Sequence, residues 1–250
     1  MQFINEYTIL IFDVELSGPN LYKNALVQIG AVLWNIEHNK LENEFLIDIN
    51  LEEDKQWDVQ TVKDFWLSND ELKKNYEKIK NNKGTNIKES IDQFVNFLNY
   101  CNTRCNGRMK MGTNRLDIDA SWLNMYLCKY NYPPLHLIFG KIDTLVDTNS
   151  FHQACALYTH LDVENFNKER KGNYNPNECV LKYYKIHKRP NTIYDHNPLH
   201  DATYIAEIHS TILNTISNIK QTNILSPFSI TPYPKLMSHP PLLKQYKKNK

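Results

Sequence analysis

Runs of apolar residues in the first 50 positions predict three β-strands that follow one another without a helix between them. The runs cover residues 7–14, 25–34 and 42–50. The first two are almost wholly apolar and rich in β-branched and aromatic side chains, whereas the third alternates apolar with polar positions. Because consecutive strands without a helical crossover usually pair antiparallel, the chain is predicted to begin with an antiparallel meander.

From residue 87 onward the apolar positions change to helical spacing. One helical face carries the apolar side chains of Ile87, Ile91, Phe94, Val95 and Leu98. Further helices are predicted over residues 119–130, 150–158, 177–188 and 199–219, and short strands over residues 108–113 and 141–148. Strands at the start and alternating strands and helices afterwards predict a single α/β domain over residues 1–219.

The end of the chain differs from the rest in composition and charge. Residues 226–250 contain five of the 11 prolines and five of the 29 basic residues but no acidic residue, although the whole chain has a net charge of only +1. We therefore expect residues 220–250 to form a proline-rich basic tail that contacts nucleic acid or a protein partner. A solvated end without a partner is the alternative.

Composition narrows the class of protein. Of the 250 residues, 41% are hydrophobic, which is enough to bury a globular core, and no stretch approaches the roughly 18 apolar residues of a membrane span. The N-terminus lacks the features of a signal peptide. The five cysteines are scattered, and the single C-x3-C pair has no second pair to complete a zinc site. We expect reduced thiols, no membrane association and a cytoplasmic or nuclear location.

Two acidic residues stand at the end of the first predicted strand, in the sequence TILIFDVELSG. Asp13 and Glu15 are two positions apart, so they project from the same side of the strand. A buried carboxylate is unfavourable unless its charge is compensated, and the carboxyl ends of strands are frequent ligand sites in α/β sheets. We interpret the pair as candidate site residues; acids at a strand end that reaches water are the alternative.

An aspartate also precedes the apolar face of the helix predicted at residues 119–130. If this helix begins near Asp119, four large apolar residues follow at i+3, i+4, i+7 and i+8, so that Asp119 points toward the core. A helix that begins at Asp117 has a smaller and more polar face beneath it. Asp119 is therefore the preferred site residue, Asp117 stays open, and an N-cap would account for either acid.

The third candidate group lies at the start of the last predicted helix. Asp201 falls in its first turn, and three isoleucines continue the line of Asp201 along the helix. His196 precedes Asp201 by five residues in a loop that contains Pro198. A loop histidine is usually a surface group, so His196 is a candidate site residue only because Asp201 follows it.

Four carboxylates at the ends of core elements favour a metal site. Converging acids repel one another unless a cation lies among them, and oxygen donors suit Mg²⁺ or Mn²⁺ better than zinc. Two such ions about 3.5–4 Å apart can stabilise both the attacking and the leaving oxygen in phosphodiester cleavage. A histidine at the rim could take the proton of the attacking water.

The three motifs, in this order, resemble those of the DEDDh 3′–5′ exonucleases of the ribonuclease H-like superfamily. This family includes the proofreading subunit of the bacterial replicative polymerase, RNase T and oligoribonuclease. The resemblance rests on FDVELSGP followed by ALVQIGAVL, on DIDASWLNMYL, and on HNPLHDA with its H-x4-D spacing. LVDTNSF is similar to the strand and helix start that lie between the second and third motifs. The resemblance covers residues 7–219.

The resemblance implies a fold, a metal site and a substrate-binding segment. The fold would be a ribonuclease H-like mixed sheet, with antiparallel first strands and parallel later ones, flanked by helices. His196 would be the general base, and the main chain around Leu16 and Ser17 would meet the 3′-terminal nucleotide. The ligands of two Mg²⁺ or Mn²⁺ ions would be Asp13, Glu15, Asp119 and Asp201.

The sequence departs from the family at three positions. Leu16 stands where relatives often have threonine, and Pro198 stands where alanine is usual. Many relatives have asparagine four residues before the second-motif aspartate, where this chain has Arg115. The asparagine is one position away, at Asn114, which keeps the choice between Asp117 and Asp119 open.

The resemblance implies an enzyme that removes nucleoside 5′-monophosphates from the 3′ ends of single-stranded or frayed DNA or RNA. The alternative is a non-catalytic nucleic-acid-binding or scaffold protein that retains the fold. A homodimer stays open as an oligomeric state. An aromatic cluster, which includes Trp57, Phe65 and Trp66, either packs in the core or stacks on substrate bases.

Overall fold

A mixed β-sheet forms the centre of the computed structural model, which describes residues 8–139, 145–159 and 196–221. Within these ranges the sheet has five strands in the order β3-β2-β1-β4-β5. The strands are β1 (Thr8–Leu16), β2 (Leu26–Asn35), β3 (Lys40–Asp48), β4 (Lys110–Thr113) and β5 (Leu145–Asp147). β1 pairs antiparallel with β2 and β2 with β3, whereas β1 pairs parallel with β4 and β4 with β5. The predicted mixed sheet is confirmed.

Helices connect and cover the strands. They are α1 (Val59–Thr61), which continues as a π-helix (Val62–Trp66), α2 (Asp70–Lys80), α3 (Ile87–Arg104), α4 (Ser121–Lys129), α5 (Thr148–Thr159) and α6 (Pro198–Gln221). A π-helical turn (Leu116–Ala120) precedes α4, and a short 3-10 helix (Leu135–Leu137) follows it. No helix in the described ranges is long and apolar enough to cross a membrane.

The alternation of β1 assigns its two faces to different helices. Leu10, Phe12 and Val14 pack in the buried cluster that contains α3 and α4. Ile9 and Ile11 pack instead against the first turns of α6. Since side chains two apart share a face, Asp13 and Glu15 continue the face that α6 covers. The strand thus carries its acids toward the start of α6.

The backbone of α6 lies very close to the sheet at Gly30 of β2. A Cβ atom at this position would lie 2.2 Å from the backbone nitrogen of Leu199 and 2.2 Å from the carbonyl carbon of Pro198. Gly30 is also the β2 residue opposite Asp13. Because glycine alone leaves room for this approach, it allows the first turn of α6 to lie beside the end of β1.

Polar contacts fix α6 farther along its length. The buried imidazoles of His152 in α5 and His209 in α6 lie 3.1 Å apart, Nε2 to Nδ1. The Ser210 hydroxyl and the Asn214 amide both donate to the carbonyl of Ile36, which follows β2. α6 is therefore held by α5 and by the turn between β2 and β3.

The structure differs from the sequence prediction mainly at element boundaries. β5 covers residues 145–147 of the strand predicted at 141–148. The described residues do not include 141–144, the helix predicted at 177–188 or residues 222–250 of the predicted tail, and α6 continues through the first two tail residues, 220 and 221. The helix predicted from Asp119 begins two residues later, after the π-helical turn. The chain divides into compact units of residues 1–215 and 216–250, and the site described below lies in the first.

Candidate active site

A cavity of about 760 Å³ opens where β1 ends, beside the π-helical turn and the start of α6. We call it the carboxylate cavity. All five residues predicted to be metal ligands or the general base line it, namely Asp13, Glu15, Asp119, His196 and Asp201. These residues come from three separate parts of the chain, and the fold brings all of them to one place.

Asp13 and Glu15 are half-buried at the end of β1. Burial raises the pKa of the Asp13 carboxyl well above its ordinary value, and repulsion from Asp119 and Asp201 raises it further. The pKa of Glu15 is raised by burial first and then by Asp13, Asp201 and Asp119. Burial and mutual repulsion thus both disfavour the charged form of these acids, and a nearby cation would favour it.

Asp119 is the most deeply buried acid of the cavity, with 3% of its surface exposed. Burial raises its pKa to about 7, although a hydrogen bond donated by the Thr113 hydroxyl opposes the increase. The backbone nitrogen of Asp119 donates to the carbonyl of Arg115 over 2.8 Å. Thr113 ends β4, so the carboxylate is anchored directly to the sheet.

Asp117 lies outside the cavity. Its side chain is 71% exposed and receives hydrogen bonds from Nε and Nη2 of Arg115, each over 3.2 Å. The two acids are two residues apart in a helical turn (Leu116–Ala120), and side chains at this spacing do not face the same side. Asp119, the residue preferred from the sequence, lines the cavity, whereas Asp117 does not.

Asp201 and His196 flank the start of α6. Pro198 is the first residue of the helix, where its missing N–H is not needed, and Asn197 precedes it. The Asn197 side chain accepts from the Leu199 nitrogen, and its carbonyl accepts from the Asp201 nitrogen over 2.9 Å. His196 is exposed and adopts a left-handed backbone with φ of 50°. Pro198, a departure from the family pattern, thus fits its position.

Glu15, His196 and Asp201 form the tightest group of possible metal ligands. Each offers one ligand atom, and these atoms lie within 4.8 Å of one another. Together with Asp13 and Asp119 they give a donor set dominated by carboxylate oxygens, with raised carboxyl pKa values that a cation would relieve. Such a set fits Mg²⁺ or Mn²⁺, because these hard cations prefer oxygen ligands.

The segment of residues 59–66 forms a further side of the cavity. Gln60, Thr61, Asp64 and Phe65 line it, and the Phe65 ring lies 4.7 Å from the ring of His196. The Trp66 indole donates to the carbonyl of Leu16 over 3.0 Å, which ties this segment to the end of β1. Phe65 therefore contacts the predicted base.

The aromatic cluster divides between core and cavity. Trp66 is fully buried, and Trp57 packs edge-on against both Trp66 and Tyr76. These rings belong to the core, the first of the two roles considered for the cluster. Of these three aromatic residues, only Phe65 lines the cavity. Its distance in sequence from the three acidic motifs gave no indication that it would lie beside them.

The two residues predicted to meet the substrate differ in their placement. Leu16 lines the cavity. Ser17 is buried beside it, where its hydroxyl donates to the carbonyl of Gln56 and accepts from the nitrogen of Ala25. The Ser17 side chain thus holds the loops together, and a contact between its main chain and a nucleotide stays a prediction.

The chain is similar in structure to several solved exonucleases. The chain aligns with product-bound exonuclease I at a TM-score of 0.58 and 13% identity, over 89% of this chain and 46% of that one. It aligns with Escherichia coli exonuclease I in complex with a dT13 oligonucleotide at a TM-score of 0.54 and 14% identity, over 85% and 41% of the two chains. The nuclease domain of 3′hExo, a DEDDh family member bound to rAMP, aligns with a TM-score of 0.52 and 14% identity, over 84% of this chain and 92% of that one.

The chain has their fold. It spans less than half of the exonuclease I chains but nearly all of the 3′hExo nuclease domain. No protein-family model matches the sequence, and no curated protein matches it either. The structural likeness therefore establishes a ribonuclease H-like exonuclease fold, and the chemistry has to be argued from the cavity.

Proposed function

We propose that this protein is a metal-dependent 3′–5′ exonuclease. The observation that carries the proposal is the meeting of Asp13, Glu15, Asp119, His196 and Asp201 around one cavity on an exonuclease fold. Burial raises the pKa of Asp13, Glu15 and Asp119, and repulsion between the cavity acids raises that of Asp13 and Glu15 further, a combination that is frequent at functional sites. The substrate class is the 3′ end of single-stranded or frayed DNA or RNA, and the product is a nucleoside 5′-monophosphate.

Each group has a distinct task in this proposal. Asp13, Glu15, Asp119 and Asp201 would hold Mg²⁺ or Mn²⁺, two ions in all. When bound, such ions would lower the pKa of a bound water and stabilise negative charge on the phosphoryl oxygens. The ring of His196, placed at the exposed rim next to Glu15 and Asp201, accepts the proton of the attacking water.

The reaction is a hydrolysis with no redox step. The water oxygen forms a bond to the last phosphodiester phosphorus, and the bond from phosphorus to the 3′ oxygen of the preceding nucleotide breaks. His196 takes one proton from the water, and the 3′ oxygen of the shortened strand gains a proton from solvent. The main chain at Leu16 and Ser17 positions the terminal nucleotide.

A product assay tests the proposal. Purified protein is incubated with an unlabelled single-stranded oligonucleotide, and chromatography identifies the products with Mg²⁺, with Mn²⁺ and with EDTA. We expect nucleoside 5′-monophosphates with either metal and none with EDTA. Asp13→Asn should abolish release and His196→Ala should reduce it by two orders of magnitude or more, on the order of the 10²–10⁴-fold contribution of general bases.

The same assay addresses the non-catalytic alternative. A binding or scaffold protein would retain the oligonucleotide without needing a metal ion and would release no mononucleotide. Release of products other than 5′-monophosphates, or equal release by the wild type and Asp13→Asn, would contradict the proposal. Matched DNA and RNA strands in parallel determine the preferred sugar.

The predicted organisation of the chain is part of the proposal. Residues 1–219 would form the nuclease domain, and residues 220–250 would add affinity for nucleic acid or a protein partner through their basic residues. A cytoplasmic or nuclear location and a homodimer belong to the same proposal, and gel filtration with light scattering tests the dimer.

A further inference from the structure

The carboxylate cavity combines strong negative charge with a single strongly basic side chain. Its acidic lining includes Asp64 in addition to the four predicted ligands. Among the described residues that line it, Arg115 is the only lysine or arginine. A nucleic-acid strand brings one negative charge per phosphate, so the acids oppose its entry wherever metal ions do not compensate them.

The backbone of Arg115 is fixed to the metal-binding side of the cavity. Its carbonyl accepts hydrogen bonds from the nitrogens of Ile118 and Asp119, over 2.9 and 2.8 Å. Its own nitrogen donates to the Thr113 hydroxyl over 3.3 Å, and that hydroxyl donates to the Asp119 carboxylate. Arg115 and Asp119 are therefore two parts of one hydrogen-bonded turn.

Asp117 holds the guanidinium in place from the outer side. Both hydrogen bonds to Asp117 use the Nε–Nη2 edge of the guanidinium, and among the described residues no acceptor engages Nη1. The Arg115 side chain is 55% exposed, so water and a ligand can reach it. A planar guanidinium whose second edge is accessible is suited to phosphate oxygens.

We propose that Arg115 binds the phosphate immediately 5′ of the scissile phosphodiester. This inference rests on the proposed function, in which the metal ligands take the scissile phosphate. The next phosphate then requires a cation on the protein, and Arg115 lies at the rim beside Asp119. A strand must have at least three nucleotides to present this phosphate, so Arg115 makes the site prefer trinucleotides and longer strands to dinucleotides. The contact is to the phosphate, which DNA and RNA share.

A comparison of TpT with TpTpT tests the inference. TpT has only the scissile phosphate, whereas TpTpT has the additional one. Arg115→Gln should lower kcat/KM for TpTpT about tenfold, in the range expected for removal of one charge-assisted hydrogen bond, and leave that for TpT unchanged. The kcat/KM of Arg115→Lys for TpTpT should lie between those of the wild type and Arg115→Gln, because lysine keeps the positive charge but lacks the planar guanidinium. The trinucleotides UpUpU and TpTpT should respond alike.

A methylphosphonate at the additional phosphate removes its charge and provides the complementary test. For the wild type, the methylphosphonate should lower kcat/KM about tenfold relative to TpTpT, the same decrease that Arg115→Gln causes on TpTpT. For Arg115→Gln, kcat/KM should be the same on the methylphosphonate and on TpTpT. Arg108→Gln, which removes a positive charge from the loop before β4 outside the cavity, is the matched control and should behave as the wild type does.

The outcomes separate this inference from the proposed function. An equal decrease on TpT and TpTpT would overturn the inference, since Arg115 would then act on the reacting centre. An unchanged kcat/KM on TpTpT would also overturn it. If the wild type hydrolyses neither these compounds nor a longer single strand, the proposed function fails, and binding of both compounds in Ca²⁺ still tests Arg115. Equal affinity of the wild type and Arg115→Gln for TpTpT would then overturn the inference.

Discussion

At Asp119 burial and charge oppose each other. It is 3% exposed, and its pKa rises to about 7 from an ordinary value of 3.8. The folded protein therefore binds a proton at pH values where the unfolded chain has released it. A divalent cation resolves the same conflict without the proton, which links the stability of the protein to both pH and metal.

The first prediction concerns this linkage. In EDTA, the contribution of Asp119 to the free energy of unfolding should fall as pH rises from about 4 to 7. Over this range the unfolded chain has released the proton of Asp119, whereas the folded protein still has to bind it. The wild type should thus become less stable relative to Asp119→Asn by a few kcal/mol across this range. Urea unfolding of both proteins at several pH values measures the difference.

Metal should reverse the effect. Addition of Mg²⁺ near pH 7.5 should stabilise the wild type by an amount that grows with the metal concentration, and it should stabilise Asp119→Asn much less. If the difference in free energy of unfolding between the wild type and Asp119→Asn in EDTA is the same at pH 5 and at pH 7.5, this account of Asp119 is wrong.

The second prediction concerns Phe65, whose ring lies against that of His196. Phe65→Leu should lower kcat about two- to tenfold, since a ring contact contributes about 0.5–1.5 kcal/mol, and should leave KM nearly unchanged. Steady-state kinetics on a single-stranded oligonucleotide measure both constants. The control is Phe97→Leu, which removes a ring stacked on Phe45 away from the cavity. A raised KM with constant kcat would instead indicate that Phe65 stacks on a base.

The positions of the individual site residues were only partly predictable. Asp13 and Glu15 could be paired because side chains alternate between the two faces of a strand. The preference for Asp119 came from the apolar face of α4, and the structure places this residue in the cavity. The hydrogen bonds between Arg115 and Asp117 could not be predicted, because they depend on side-chain conformations that hydrophobic periodicity does not reveal.

At the scale of the elements, the site depends on how closely α6 approaches the sheet. At Gly30 any Cβ would collide with the backbone between Pro198 and Leu199. Backbone atoms cannot rotate away as a side chain can. A larger residue at Gly30 must therefore displace α6, and with it Asp201, from β1.

Gly30→Ala is accordingly the third prediction. A displacement of Asp201 on the order of 1 Å should reduce kcat/KM roughly a hundredfold even if the protein stays folded. Gly107→Ala is the control, because Gly107 has a φ of +70° and nothing within 4 Å of a Cβ. That variant should be less stable by about 1–2 kcal/mol and keep its activity. Circular dichroism and kinetics on both variants measure the two effects, and an active Gly30→Ala would contradict this role for Gly30.

The strands were predictable from apolar runs or from alternation of apolar and polar residues, and helices such as α3 and α6 from the helical spacing of their apolar positions. The segment of residues 59–66 was not, since its position depends on contacts distant in sequence. Asp58 accepts from the nitrogen of Thr61, its own nitrogen donates to the carbonyl of Ser17, and the indole of Trp66 donates to Leu16. Such contacts leave no periodic signal, so only the aromatic residues themselves could be noticed before the structure was known.

At the scale of the whole molecule, charge is separated along the chain. The five basic residues at 226–250 are accompanied by no acid, whereas the remainder of the chain has more acidic than basic residues. A negative domain that acts on a polyanion would gain from a cationic tail, because each phosphate contact releases counterions.

The fourth prediction follows from this separation. Deletion of residues 226–250 should weaken the binding of a long single strand and flatten its salt dependence. The slope of log K against log salt should change by about 0.7 for each phosphate that the tail neutralises in the full-length protein. Fluorescence anisotropy at several salt concentrations measures the slope. Hydrolysis of TpTpT should not change, and an unaltered slope would assign the tail to a protein partner or to no partner.

The most direct test of the account follows a 5′-end-labelled single strand over time in Mg²⁺. The wild type and Asp117→Asn should both shorten the strand one nucleotide at a time from its 3′ end, whereas Asp119→Asn should leave it intact. This result would show that the buried acid of the cavity, and not its exposed neighbour, belongs to the catalytic site. A strand that stays intact with the wild type, or that Asp119→Asn shortens as fast as the wild type does, would contradict the account.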